Sequence, residues 1–306
     1  MNVLKTHLFE EKCLLLQCTR TGAEVSDASE RTLQTSTVTN NRAPSHARRP
    51  ARRCVQPGRA ASSLSHTEAK PATAPIMKII LNPKYERLRD YLTHLEDHFN
   101  NEGHEIHAGR NVIRTLQVDG LTLCVKRYAQ PSLRRRVQQL LYKSNKAKLA
   151  YVRPMLLRER GFESPESVAS VIYRTGLLNV TTYFVCLLSD YRYNMEHALT
   201  LDAQEQAEVV THFARFAAHL HEDGFLHRDF SSTNILYDVV DGRYHFSLID
   251  TNSMKCGHPV SIEAGCRNLA QLTGNEAFFS LLAKAYAAER HADPALCARL
   301  INEARH

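Results

Sequence analysis

The chain has 306 residues, 43% hydrophobic and 23% charged, enough apolar content for a sizeable core. It has no apolar run of about 18 residues, which excludes a membrane-spanning helix. The formal charge of +7 lies mostly in residues 1–76, where Lys and Arg exceed Asp and Glu by five, against two in 77–306. The excess therefore says little about what the core binds, and no nucleic-acid partner is expected.

Eight cysteines, at positions 13, 18, 54, 124, 186, 256, 266 and 297, show no CxxC spacing. Scattered thiols of this kind fit a reducing, cytoplasmic setting, where Cys124 and Cys186 pack as small hydrophobes within apolar runs.

Residues 19–76 are rich in Ser, Thr, Ala, Arg and Pro, with an Arg-rich run at Arg48, Arg49, Arg52 and Arg53. Such a composition cannot bury enough surface to fold alone. Leu14-Leu15-Leu16 is too short a core for a signal peptide. We therefore read 1–76 as a disordered basic extension or a misplaced start, with the working protein opening at Met77.

Beyond Met77 the pattern changes. Val112 to Val118 and Leu121 to Tyr128 read as strands joined by Asp119-Gly120, a two-residue hairpin turn. Leu121, Leu123 and Val125 take one face of the second strand and Thr122, Cys124 and Lys126 the other. A Lys ending an apolar strand is expensive to bury unless an anion meets it.

Residues 133–160 read as helix in one or two pieces, broken near Pro154. Tyr183 to Leu188 is an apolar strand. Asp202 with Glu205 resembles a capping box, and Val209, Phe213, Phe216, Ala217 and Leu220 form the apolar face of the helix it opens, which Gly224 ends. From about 262 onward the Ala/Leu-rich stretches read as terminal helices.

His227-Arg228-Asp229 follows that long helix, with Asn234 five residues after the Asp. Sixteen residues further on, Asp250 closes the strand-like run from His245. This spacing matches the catalytic loop and metal-binding Asp of protein-kinase-like phosphotransferases. Phosphoryl transfer needs one carboxylate beside the acceptor hydroxyl and oxygen ligands that hold Mg²⁺ against the nucleotide phosphates. The expected fold is α+β, two-lobed and protein-kinase-like: a small β-rich N-lobe at about 77–188 and a mainly helical C-lobe at about 189–306.

Within that class the chain resembles the bacterial lipopolysaccharide kinases, the Kdo/heptose kinases of the inner core, and most of all their Bacteroides-group relatives. The resemblance runs from about 107 to 272. It is carried by Gly109-Arg110-Asn111, Leu123-Cys124-Val125-Lys126, Ser144-Asn145-Lys146-Ala147-Lys148, Gly161-Phe162-Glu163-Ser164-Pro165 and Tyr183-Phe184-Val185. The catalytic loop and Ile249-Asp250-Thr251-Asn252-Ser253-Met254-Lys255 complete it. Ser231 stands where protein kinases often carry Lys.

The resemblance implies ATP and Mg²⁺ as cofactors. Asp229 would orient and deprotonate a sugar hydroxyl, Asn234 and Asp250 would hold Mg²⁺, and Lys126 would bind the α/β-phosphates. Gly109, Arg110 and Asn111 would cover the nucleotide, while His227 and Arg228 would brace the loop. It further implies a lipopolysaccharide inner-core glycolipid as acceptor and peripheral contact with the cytoplasmic face of the inner membrane.

Three departures stand out. Gly109 is the single glycine of the phosphate-covering loop, and Asn252 replaces the Gly of DFG. Between Lys126 and Gly161 the only acidic residue is Glu159, the candidate partner of Lys126. The alternatives are a non-catalytic pseudokinase scaffold and a kinase for another small molecule or for protein, although no APE segment follows Asp250. A basic tail-driven nucleic-acid binder is a third.

His219 and His221, two apart on a helix, point about 200° apart and read as solvated histidines at its end. Cys256, His258 and Cys266 read as packing residues, not zinc ligands. The stretch 126–148 carries eight Lys/Arg and no acid, a candidate surface for an anionic glycolipid.

Overall fold

Six antiparallel strands form the sheet in the first part of the protein, in the spatial order β1 (Ile76–Leu81), β5 (Ser167–Thr175), β6 (Asn179–Leu187), β4 (Leu121–Tyr128), β3 (Val112–Val118) and β2 (His104–Ala108). The computed structural model describes residues 76–130, 146–175 and 179–306. The extension therefore lies outside the described residues except for Ile76, as do 131–145 of the basic stretch and the first part of the expected 133–160 helix.

Ile76 opens β1 (Ile76–Leu81), and a 3-10 turn at Pro83–Leu88 leads into α1 (Arg89–Thr93) and α2 (Leu95–Asn101). Strand β2 (His104–Ala108) is an exposed edge with a register shift between Glu105 and His107. Polar side chains and a bulge on such an edge discourage pairing with other chains.

Strands β3 (Val112–Val118) and β4 (Leu121–Tyr128) form the expected hairpin. Asp119 and Gly120 both have positive φ, 50° and 74°, the backbone that matches the twist of flanking strands. Leu123 and Val125 are buried against Leu92, Leu95 and Phe99 of α1 and α2. Because side chains alternate, that burial turns Cys124 and Lys126 to the opposite face of the sheet.

That opposite face is served by α3 (Lys146–Glu159), which packs on β5 (Ser167–Thr175), β6 (Asn179–Leu187) and the Thr251–Ser253 turn. The helix runs through Pro154 without ending, contrary to the expected break. Proline removes one backbone donor, but buried Tyr151, Leu156 and Leu157 on either side hold the helix by packing.

After the sheet part, β7 (Tyr193–Asn194) and a 3-10 turn at His197–Thr200 precede α4 (Ala203–Glu222). The Asp202 carboxylate accepts from the Gln204 and Glu205 amides, both at 2.9 Å, which caps the helix as expected. Val209, Phe213, Ala217 and Leu220 are buried, and Phe216 packs at the margin. Gly224 follows the C-cap with φ +81°, and a Cβ there would sit 2.1 Å from the Gly257 carbonyl oxygen. Only glycine fits this turn.

Strands β8 (Phe225–Leu226), β9 (Ile235–Val240), β10 (Arg243–Leu248) and β11 (Lys255–Cys256) carry the loops of interest. Helices α5 (Ile262–Leu269), α6 (Glu276–Glu289) and α7 (Pro294–Arg305) complete the fold. Among the described residues the hydrophobic interior forms two clusters. One lies between the sheet and α1–α2; the other is helical, built around Phe213, Phe225, Phe230, Phe278 and Tyr286. Among the described residues no helix is long and apolar enough to cross a membrane.

Candidate active site

The loop after β8 is held by its backbone and by one buried imidazole. His227 is fully buried; its Nε2 donates to the Ile249 carbonyl at 3.0 Å and its Nδ1 accepts the Asp229 amide proton at 3.2 Å. Those two bonds require the neutral ring with its proton on Nε2. Desolvation agrees, lowering the His227 pKa below its usual 6.5. Asn234 Nδ2 donates to the Asp229 carbonyl at 3.0 Å, and the Asn234 carbonyl accepts from the Ile249 amide at 3.0 Å. His227 thus braces the loop as expected. Arg228 and Asp229 are exposed, so the Asp229 carboxylate projects from a fixed backbone.

The second segment ends differently from its expected form. Strand β10 stops at Leu248, and Asp250 lies outside it in the left-handed region, φ 53° and ψ 41°. For a non-glycine residue that conformation is uncommon and strained, and it aims the side chain away from the strand direction. Lys126 Nζ meets Asp250 Oδ2 at 2.6 Å, and Asn252 Nδ2 donates to Asp250 Oδ1. The Lys126 ammonium also lies 5.5 Å from the centre of the Tyr128 ring.

Helix α3 contributes a cation to this segment. Arg153, buried, donates through Nη1 to the Thr251 carbonyl at 3.4 Å and to that of Asn252. Sequence reasoning looked on this helix for a carboxylate to pair with Lys126. The carboxylate that Lys126 meets is Asp250, while Glu159 stands at the exposed end of α3. Arg153 was missed, although its signal was present: one cation within Leu149, Ala150, Val152 and Leu156.

Gly109, Arg110 and Asn111 connect β2 to β3 beside the end of β4. The Gly109 amide donates to the Asn111 carbonyl at 3.1 Å, and Asn111 Oδ1 accepts from the Ala129 amide at 3.1 Å. Arg110 lines a cavity of about 290 Å³ with Glu96, Arg127 and Gln130, which contains neither Lys126 nor Asp250. A second cavity of about 280 Å³ lies between α4 and β10, away from the loop. Geometry around Lys126 and Asp250, not cavity size, marks the candidate site.

The oxygen donors suit a divalent cation. Asn234 uses its amide nitrogen on the Asp229 carbonyl, which leaves its Oδ1 for another partner, and Asp250 would share with a cation the two carboxylate oxygens that Lys126 and Asn252 engage. Mg²⁺ prefers few, hard, oxygen ligands of this type. The Tyr128 hydroxyl is buried with no hydrogen-bond partner among the described residues, and burial together with the Asp250 charge raises its pKa. Cys256 and Cys266 are buried thiols, and the described residues contain no cluster of three or more His, Cys, Asp or Glu able to hold a metal.

One expectation is overturned on α4. His221 is fully buried, not solvated: its ring lies between Tyr286 and Asn268, while His219 is exposed. The last turn of the helix packs against α6 and is hydrogen-bonded to Asn268 of α5, which the pattern of a helix end did not reveal.

No protein-family profile and no curated protein sequence matches the chain. Among solved structures it is similar to "WaaP in complex with acyl carrier protein" at 16% identity, covering 75% of this chain and 100% of that one, with a TM-score of 0.47. It is also similar to the Rio2 kinase–ADP/Mg²⁺–phosphoaspartate complex from Chaetomium thermophilum at 16% identity, covering 73% and 71%, with a TM-score of 0.39. The chain's own architecture places a lysine on the third strand of a β-meander, a helix on that lysine's face, and an HRD loop before the strand leading to Asp250. This is an α+β, two-lobed, protein-kinase-like fold.

Proposed function

We propose that residues 77–306 form an ATP-dependent kinase that phosphorylates a sugar hydroxyl. The observation that carries this reading is the meeting of Lys126 with Asp250 at 2.6 Å, beside a loop whose Asn234 and His227 are hydrogen-bonded to Ile249. In this reading four polar side chains from distant segments, Lys126, Asp229, Asn234 and Asp250, act together at one site.

In this reading Lys126 exchanges Asp250 for the nucleotide's phosphate oxygens, and Asp229 accepts the proton of the acceptor hydroxyl. Asn234 and Asp250 would hold Mg²⁺, which would supply neutralising charge to the nucleotide's phosphates. Gly109, Arg110 and Asn111 cover the nucleotide. Catalysis is then mostly positioning and charge stabilisation.

The acceptor we propose is Kdo or heptose of the lipopolysaccharide inner core, reached from the cytoplasmic face of the inner membrane. Support comes from the sequence segments that resemble the lipopolysaccharide kinases and from the acid-free basic stretch 126–148, which suits a multiply anionic lipid. A second reading, a non-catalytic scaffold, is favoured by one observation: α3 presents Arg153 to the Asp250 segment.

Thermal melting of the full chain with and without Mg-ATP, beside Asp250→Ala, tests the site. Ligand at about 100 times its Kd adds about 2.7 kcal/mol, a rise of roughly 5–10 °C for a domain of this size. A magnesium-dependent rise lost in Asp250→Ala supports a nucleotide site, and ³²P transfer to Kdo-lipid A then tests the acceptor. An unmoved midpoint at millimolar nucleotide favours the scaffold.

A further inference from the structure

A buried chain of hydrogen bonds reaches the HRD loop from the far side of the helical part. Arg290 Nη1 lies 2.6 Å from the Tyr286 hydroxyl, which lies 2.9 Å from His221 Nδ1. His221 Nε2 is 3.1 Å from Asn268 Oδ1, and Asn268 Nδ2 is 2.7 Å from the His227 carbonyl. His221 and Tyr286 are fully buried and Asn268 nearly so.

Burial keeps the His221 ring neutral, and with a neutral ring the direction of every bond is forced. A backbone carbonyl only accepts, so Asn268 must present its amide nitrogen to His227 and its oxygen to His221. His221 must then carry its proton on Nε2, which leaves Nδ1 bare and obliges Tyr286 to donate to it. The Tyr286 oxygen in turn accepts from Arg290, which can only donate. Gly265 makes room for the junction, since a Cβ there would lie 2.1 Å from the Tyr286 hydroxyl and 3.0 Å from His221 Nδ1.

We infer that His221, Asn268 and Tyr286 are positioning residues that hold the His227 backbone, and through it the Asp229 amide and the Ile249 carbonyl, in the arrangement transfer requires. Three helices meet in this chain: α4 supplies His221, α5 supplies Asn268, and α6 supplies Tyr286, with Arg290 as its C-cap residue. None of these side chains belongs to the proposed catalytic or metal-holding set of Lys126, Asp229, Asn234 and Asp250. The consequence for turnover rests on the reading of Asp229 as the catalytic carboxylate; the consequence for loop order does not.

The test separates the two. Hydrogen exchange across residues 225–234 of the full chain is compared in wild type, Asn268→Asp and Tyr286→Phe. Asn268→Asp sets a carboxylate oxygen against the His227 carbonyl and should speed exchange of the Asp229 amide at least about tenfold. Tyr286→Phe, a mild change kept in case Asn268→Asp fails to fold, should speed it about threefold. In Mg-ATP hydrolysis, with water as acceptor, kcat should fall about tenfold or more while KM for ATP stays within threefold. His221→Gln, which keeps a donor and an acceptor, should recover most of the loss seen in His221→Leu. Unchanged loop exchange in both Asn268→Asp and Tyr286→Phe overturns the inference, and so does a KM rise without a fall in kcat. A wild type that shows faithful loop protection but never binds Mg-ATP would sink the proposed function alone.

Discussion

Lys126 Nζ and Asp250 Oδ2 lie 2.6 Å apart although 124 positions separate them. Their side chains are 12% and 30% exposed, so the pair is shielded but not sealed. Lys126→Met should leave the Asp250 charge without its neighbour and destabilise the fold by about 1–2 kcal/mol, the partial exposure moderating the loss. It should also weaken Mg-ATP binding and lower turnover about 10²-fold or more. Denaturant melts alongside steady-state kinetics would measure both.

Asp229 is a different case, because its backbone is anchored and its carboxylate is exposed. Asp229→Asn should therefore leave the melting temperature within about 2 °C of wild type. Turnover should fall about 10²–10⁴-fold through loss of the proton acceptor. A variant that kept more than a tenth of wild-type kcat would remove Asp229 from the chemistry.

Arg153 grips the two carbonyls that follow Asp250. Arg153→Leu keeps the apolar packing of α3 but strips those carbonyls of a charged donor, at about 1–3 kcal/mol of stability. Since the Thr251–Ser253 turn sets where Asp250 points, affinity for Mg-ATP should drop about tenfold by isothermal titration calorimetry. Equal affinity in the two proteins would reduce Arg153 to packing.

Stability should depend on pH through His221. Burial depresses its pKa from 6.5 to about 4, with Asn268 opposing and the Arg290 charge reinforcing the shift. Above about pH 6.5 neither state holds the proton and the full stability is present. As pH falls toward 4 the unfolded chain takes up a proton that the folded chain refuses, so stability is lost, and below 4 the loss levels off. The drop between pH 7 and pH 5 should be about 2 kcal/mol. His227, lowered in the same direction, adds to it. Urea titrations across this range should show the slope reduced in His221→Gln.

Gly224 and Gly242 share a positive φ, +81° and +71°, but not the same surroundings. A methyl group at 224 meets the Gly257 backbone at 2.1 Å, whereas at 242 it meets open space. Gly224→Ala should cost about 2–4 kcal/mol and loosen the loop that begins at His227, against about 1 kcal/mol for Gly242→Ala. Comparing the two denaturation midpoints isolates the steric part.

Much of this architecture is written locally. The Val112–Val118 and Leu121–Tyr128 strands, the Asp119-Gly120 turn, the Asp202 cap and the face of Lys126 all follow from alternation, turn chemistry and capping, which act over a few residues. Spacing alone also singled out Asp229, Asn234 and Asp250. Other features depend on neighbours far along the chain. The left-handed backbone at Asp250, its pairing with Lys126 and the hold of Arg153 on Thr251 and Asn252 exist only once α3 lies on the sheet. His221 shows the limit most clearly. Two residues from an exposed histidine on the same helix, it is buried because α5 and α6 close over that one turn and supply Asn268 and Tyr286 as partners. Local sequence determined which groups are present and which way each strand or helix turns them. Tertiary packing decided which of them meet, because a buried polar group is tolerated only where a distant partner satisfies it.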